Sequence, residues 1–338
     1  MRIVHIMIFE KFIRSYIEFI DENFKIEEHS FLIIGKDYKK YDLTNLPNFY
    51  FINSLQKVPN LLFKLYTGNK IIIHGLWDKR FIKILLMQPW LISKCFWMMW
   101  GGDFYNYENE TPEKKKLIKK LRHFISFVKG DFEFVQEKYH AKGIFHESIL
   151  YPVTFYEDFV DSDVENSDNK ISILVGNSAD PSNNHVEIFH LLEKYKDFPV
   201  EIFAPLSYGD SDYAHQVEKK GQEIFGNKFN ALKTMMPLDE YKHFLKRIDI
   251  GIFNHNRQQG TGNMIPLLIG GKKLFMKKDV TTWNLFKDLG IKVFDIQELD
   301  LSRLNEVDAI NNQEKMKTFF SRETYINRLN EIFNYQRF

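Results

Sequence analysis

The chain has 338 residues, too many for one modest core and enough for about two domains of about 150 residues each. Apolar residues make up 44% and aromatic residues 16%, with 32 Phe; Lys and Arg (46) nearly balance Asp and Glu (45). A net charge of +1 excludes a global field that recruits nucleic acid, so any basic partner site is local, while the surplus of rings suits a surface for sugars or lipid.

From the N-terminus, Met1-Arg-Ile-Val-His-Ile-Met-Ile lacks the long apolar run and cleavage site of a signal peptide, and a cytoplasmic protein is expected. Ile3 to Ile8 reads as a buried strand and Phe9 to Phe24 as a helix. Strands at Phe31 to Ile34, Phe49 to Ile52, Ile71 to Ile73 and Cys95 to Trp100 then alternate with helical stretches at Leu61 to Tyr66 and Lys79 to Met87. That alternation predicts a parallel sheet covered on both faces. Phe81 to Trp100 is apolar, but Lys83, Lys94 and Gln88-Pro89 divide it into pieces too short to cross about 30 Å of hydrocarbon. Cys95 is the only cysteine, which excludes an intrachain disulfide and fits a reducing compartment.

Pro112 to Lys129 reads as one basic amphipathic helix. Leu117, Leu121, Phe124, Ile125 and Val128 fall on one face, and Lys114, Lys115, Lys116, Lys119, Lys120 and Arg122 lie elsewhere. Two readings stay open: a helix packed by its apolar stripe, or one lying on an anionic membrane surface.

Acidic residues crowd between Phe155 and Lys170 with little apolar content, which predicts an exposed linker over 156–170. It separates an N-terminal domain (1–155) from a C-terminal domain (171–310), with a helical tail over 311–338 expected to pack back on the first domain. The alternation restarts with strands at Ile171 to Val175, Val200 to Phe203, Ile250 to Phe253, Lys273 to Met276 and Val293 to Asp295. Helices at Asn184 to Tyr195, Tyr213 to Phe225, Leu238 to Arg247 and Thr281 to Leu289 intervene. Two α/β halves in succession point to two Rossmann-like domains facing across a cleft.

The loop Arg257-Gln258-Gln259-Gly260-Thr261-Gly262 joins an apolar strand to an apolar helix. Unpaired backbone N–H groups and the positive helix end suit a phosphate there, and Arg257 adds a planar two-pronged donor. A plain turn is the competing reading. Gly176-Asn177-Ser178 repeats the arrangement after the first strand of the same half, with Ser182 or Asn183 able to cap the helix that follows and His185 just beyond. Two such loops favour a diphosphate ligand. In the first half, His74-Gly75 and Trp100-Gly101-Gly102-Asp103 end apolar strands, making Asp103 the first candidate for a general base and His74 the second. Gly260-Thr-Gly262 lacks a dinucleotide fingerprint, no Walker A spacing occurs, and Asp161-Ser-Asp163 and Asp210-Ser-Asp212 are poorly placed for a metal-diphosphate. Metal-independent chemistry without a cofactor is expected, with leaving-group charge met by Arg257 and helix ends.

Phe96 to Tyr105, Ile173 to Ser178 with Asp180, Ser182, Asn183 and His185, Asp249-Ile-Gly251 with Arg257 to Gly262, and the pair His74-Gly75 together resemble glycosyltransferase family 56. These are the TDP-N-acetylfucosamine:lipid II transferases of surface polysaccharide synthesis. The matches keep their order from about residue 71 to 290. Asn254-His-Asn256, Asn263-Met264, and Ala179 with Pro181 depart from the pattern. The resemblance implies a GT-B fold with a TDP- or UDP-sugar donor in the C-terminal domain. Gly176, Asn177, Ser178, Asn183, His185, Arg257, Gln258, Gln259, Gly260 and Gly262 would hold it. It implies a polyprenyl-diphosphate-linked saccharide acceptor at the inner face of the cytoplasmic membrane, with Trp100, Gly102, Lys115, Lys119 and Arg122 on the acceptor or membrane side. Two other readings keep the same architecture: a sugar-nucleotide epimerase, which would act on donor alone, and a non-catalytic partner of a polysaccharide assembly complex, which would bind no nucleotide.

Overall fold

The computed structural model describes residues 1–10, 12–35, 43, 45–152, 155–159 and 170–336. Most of the acidic linker, with Asp161 and Asp163, lies outside these residues. The chain divides into two compact units, Met1–Val153 with Glu323–Phe338, and Thr154–Arg322.

The first unit is built on seven parallel strands: β1 (Ile3–Met7), β2 (His29–Ile34), β3 (Phe49–Ile52), β4 (Lys70–His74), β5 (Cys95–Met98), β6 (His123–Ser126) and β7 (Ile144–Glu147), in the order β3-β2-β1-β4-β5-β6-β7. Every residue of β1, β4, β5 and β6 is buried, which is why these strands read as continuous rather than alternating apolar runs. One core joins β4 and β5 to Leu61, Leu65, Phe81, Ile82, Leu85, Leu117, Ile118 and Val135 on the covering helices.

The second unit holds β8 (Ile171–Val175), β9 (Val200–Pro205), β10 (Phe229–Leu232), β11 (Ile250–Phe253), β12 (Lys273–Met276) and β13 (Phe294–Asp295), all parallel in the order β10-β9-β8-β11-β12-β13. Within each unit the first strand sits beside the fourth, so the chain winds outward in one direction and then in the other. This is the doubly wound Rossmann order, and it opens a crevice beyond the carboxyl ends of those two strands.

The basic helix is shorter than its pattern predicts. It runs from Pro112 to Lys120, capped by Thr111 and ended at Leu121, and after Arg122 the residues His123–Ser126 form β6 between β5 and β7. His123 stacks on Phe96 with ring centroids 4.1 Å apart. Leu121, Phe124, Ile125 and Val128 satisfy a helical period by coincidence, and strand pairing overrides it. Lys115 is half-buried with its ammonium 4.1 Å from the Tyr107 ring centre, whereas Lys119 and Arg122 are exposed.

The helix Glu306–Phe320 lies in the second unit, and the helix Arg322–Asn334 lies, from Glu323 on, in the first. The latter buries Tyr325, Leu329, Ile332 and Phe333. Its Tyr325 hydroxyl donates to the Leu150 carbonyl (3.2 Å), Arg328 pairs with Glu147 (2.6 Å), and the buried Lys70 ammonium donates to the carbonyls of Ile332 and Phe333.

Candidate donor site

The crevice of the second unit lies where β8 and β11 end. Gly176 follows β8 with φ +70°, and a Cβ there would sit 2.5 Å from His185 Nε2 and 2.7 Å from Asn183 Oδ1. Only glycine fits, on both counts. The Asn177 N–H donates to Asn183 Oδ1 (2.9 Å), and Asn183 Nδ2 donates to the Asp180 carbonyl (2.9 Å). Asp180 caps the turn Pro181–Asn183 by accepting from the Ser182 N–H (2.9 Å). The loop therefore closes on itself through side-chain amides before the helix His185–Leu192 begins.

The loop after β11 leans on the first. Gln259 Nε2 lies 3.4 Å from Asn177 Oδ1, and the Ser182 hydroxyl lies 2.8 Å from Gln259 Oε1. Asn184 Nδ2 donates to the Asn254 carbonyl (2.8 Å). Gly260 has φ +75°, with His255 Cε1 only 2.6 Å from where its Cβ would stand. It opens the helix Thr261–Ile269, whose first residue has no side-chain cap and whose exposed Gly262 has no neighbour within 4 Å of a built Cβ. An uncapped helix end with open space before it is what an anion requires.

Arg257 stands beside this opening. Its guanidinium lies 3.5 Å from Asp180 Oδ2 and donates to the Gln258 carbonyl (3.1 Å). The ion pair is partly solvated, so it costs little to exchange Asp180 for a ligand oxygen. Gln258 is itself buried, which makes it a support of the loop, and Ser178 in the first loop is buried as well.

His255 carries more of this site than its sequence position suggests. Nδ1 lies 3.1 Å from the Gln259 carbonyl and Nε2 3.0 Å from Asn183 Oδ1, so one ring lies between the two loops and touches both. Both neighbours are acceptors, since Asn183 Oδ1 already receives the Asn177 N–H. A neutral ring supplies one proton and bonds one of them; an imidazolium would bond both. Burial pushes the ring down to about 3, and the Gln259 carbonyl and, after it, the Asp180 carboxylate do not offset that. His185, also pushed down to about 4 by burial, meets the Tyr213 hydroxyl at 3.1 Å. The signal for His255 is positional: it stands two residues beyond β11, as Asn177 stands two beyond β8. Tyr208, whose hydroxyl accepts from Asn177 Nδ2 (3.1 Å), carries no comparable signal.

In the first unit, His74 ends β4 with both ring nitrogens engaged. Nε2 is 3.2 Å from His5 Nδ1, and Nδ1 is 2.9 Å from the Tyr151 hydroxyl. His5 Nε2 continues to His29 Nδ1 at 2.9 Å, giving a buried row of three imidazoles. Asp103, fully buried, accepts from the Leu76 N–H (2.7 Å), Trp97 Nε1 (2.9 Å) and the Trp100 N–H (3.0 Å). Burial outweighs these donors and pushes its carboxyl up to about 7. Asp103 thus ties the loop after β5 to the loop after β4, His74 ties the end of β4 to β1 and to Tyr151 beyond β7, and neither side chain is presented to solvent as a general base. Trp100 is half-buried, with its ring centre 5.7 Å from that of Tyr151, and Gly102 is exposed, with Trp77 Cη2 3.0 Å from where its Cβ would stand. Asp103→Ala is expected to lower stability by about 3–5 kcal/mol, because three buried donors lose their acceptor. Urea unfolding at pH 7.5 reads this, and a loss under about 1 kcal/mol would contradict the brace.

A model of the family described as 4-alpha-L-fucosyltransferase, glycosyl transferase group 56, matches residues 11–334. Among solved structures, the chain is similar to Anabaena HepE in complex with UDP, with TM-score 0.73 at 10% identity over 98% of this chain and 99% of that one. It is similar to a glycosyltransferase from Rickettsia africae, with TM-score 0.69 at 11% identity over 98% of each chain. The α,α-trehalose 6-phosphate synthase of Burkholderia multivorans gives TM-score 0.65 at 9% identity over 98% of this chain and 95% of that one. At such identities the likeness carries the fold alone, which is GT-B.

Proposed function

The chain belongs to glycosyl transferase group 56 and is a glycosyltransferase, and on that premise we propose that its second unit binds a nucleoside-diphosphate sugar. The observation that carries this is the pair of glycine loops at the β8–β11 crevice, with His255 between them and opening on an uncapped helix end. Arg257 and the N–H groups near Gly260 and Gly262 would meet the diphosphate, with the Gly176-Asn177-Ser178 loop closing its other side. Asn183 and His185 hold that loop in shape; Gln258 and Gln259 hold the second. UDP in the HepE structure supports a nucleoside diphosphate as the ligand class.

The reaction is transfer of a deoxyamino sugar, such as N-acetylfucosamine, from TDP or UDP to a polyprenyl-diphosphate-linked saccharide for surface polysaccharide. Arg257 and the helix end stabilise charge on the departing diphosphate, with no metal needed at that step. On the acceptor side, Asp103 positions the Trp100–Gly102 loop, and His74 holds Tyr151, whose ring meets that of Trp100. The protein acts at the inner face of the cytoplasmic membrane, where such acceptors are held; none of the helices among the described residues is long and apolar enough to cross it.

Thermal shift with UDP and TDP tests the donor site directly. A nucleotide at about one hundred times its Kd is expected to stabilise the second unit by about 2.7 kcal/mol. No shift with either nucleotide at millimolar concentration would contradict the reading. Incubating donor sugars with and without lipid-linked acceptor then identifies the product.

A further inference from the structure

Two short helices on one side of the first sheet leave large side chains in solvent. Val58–Thr67 buries Leu61 and Leu65 but exposes Phe63 (62%) and Tyr66 (46%). Lys79–Met87 and the turn Pro89–Ile92 bury Phe81, Ile82, Leu85, Leu91 and Ile92 but expose Met87 (77%) and Trp90 (57%). The two elements meet at a polar seam: the Tyr66 hydroxyl donates to Gln88 Oε1 at 2.5 Å, and the Lys94 ammonium donates to the Tyr66 and Gly68 carbonyls at 3.2 and 2.8 Å. Phe63, Tyr66, Met87 and Trp90 therefore share one surface around Gln88. A patch of this kind marks an interaction site.

Its charge says with what. Lys83 and Lys79 precede Met87 by one and two turns of the same helix, Lys94 sits at the Tyr66 carbonyl, and Lys57, Lys64 and Arg80 lie in the same two helical segments, while Asp78 is the only carboxylate between residues 51 and 102. The chain as a whole is nearly neutral, so this imbalance is local. The basic helix Pro112–Lys120 packs beside Lys79–Met87 and extends the rim with exposed Lys116, Lys119 and Lys120. Protein interfaces are depleted in lysine, and a second copy would set like charges against each other. An anionic bilayer neutralises the lysines and accepts Trp and Tyr at headgroup depth.

We propose that this face docks the protein on an anionic lipid surface, with Trp90, Met87, Tyr66 and Phe63 entering the headgroup layer and the lysines meeting lipid phosphates. The proposal deepens the reading of a membrane-held acceptor by naming the surface that reaches the membrane, and it gives the helix Pro112–Lys120 the flank of that surface.

Sedimentation with phosphatidylcholine vesicles, with and without phosphatidylglycerol, tests it in the absence of any sugar donor or acceptor. Wild-type protein is expected to sediment with the anionic vesicles, less so as salt rises. Met87→Ser/Trp90→Ser is expected to lose at least tenfold in partitioning, and Lys79→Glu/Lys83→Glu at least fivefold for each charge, about what one lysine near such a surface contributes. These side chains are exposed, so melting temperature and nucleotide binding are expected to stay at wild-type values. Equal sedimentation by wild type and both double variants overturns the proposal. So does a dimer in solution that Met87→Ser/Trp90→Ser splits, since a second copy would then occupy the face. Failure of vesicle binding with nucleotide binding intact removes the docking surface and leaves sugar transfer standing; loss of nucleotide binding in the wild type does the reverse.

Discussion

Acidification from pH 7 to about 4.5 is expected to unfold the first unit before the second. Burial is the main cause holding six histidines below the ordinary value of 6.5: His5 well below it, His74 and His255 at about 3, and His29, His146 and His185 at about 4. Each lowered value means that the unfolded chain binds a proton the folded chain refuses. Stability is therefore unaffected above 6.5 and falls as pH drops from there toward the folded value. Each such group costs about 1.4 kcal/mol per pH unit in that window.

Four of the six lie in the first unit, where Asp103 works in the opposite direction. Its carboxyl is raised to about 7, so the folded state holds its proton down to the unfolded value of 3.8, and this offsets one histidine. A net slope of about 4 kcal/mol per pH unit removes about 8 kcal/mol between pH 6.5 and 4.5, which is comparable to a typical stability of about 5–15 kcal/mol. Trp77, Trp90, Trp97 and Trp100 report on the first unit and Trp283 on the second, so the tryptophan fluorescence transition should precede the loss of helical circular dichroism. Urea midpoints that stay level between pH 7 and 4.5 would refute the account.

Arg257→Ala is expected to reduce turnover by roughly ten- to a thousandfold, the loss for one charge-stabilising donor at a leaving group. Melting temperature should hardly move, because the pair with Asp180 is long and partly exposed and is worth less than about 1 kcal/mol. Arg257→Lys should recover part of the rate, since it restores charge without the two-pronged geometry. Wild-type turnover in Arg257→Ala would remove Arg257 from the donor site. A fall in turnover that tracks a fall in melting temperature would instead assign it a structural role.

Much of the fold was legible because the strands of a parallel sheet are buried on both faces. Phe49–Ile52, Ile250–Phe253 and Lys273–Met276 have the bounds their apolar runs predict. The run at 121–128 misled because an apolar strand after a basic helix can satisfy a helical period by chance, and only pairing with β5 and β7 decides the matter. β7 had no apolar run to announce it: Ile144-Phe-His-Glu147 is an edge strand with its ends exposed.

The sequence by itself determined the alternation of strands and helices, the repetition of that alternation, and the places where glycine must turn the chain after a strand. Those properties are local, set by burial period and by backbone angles that other residues resist. Only the tertiary structure decided what the polar side chains near those turns do. It engaged every polar atom of His74 and Asp103, set His255 between two loops, and left four large apolar side chains of the first unit on a lysine-rich surface. Burial and partnership depend on residues far apart in the chain, which no single stretch of sequence contains.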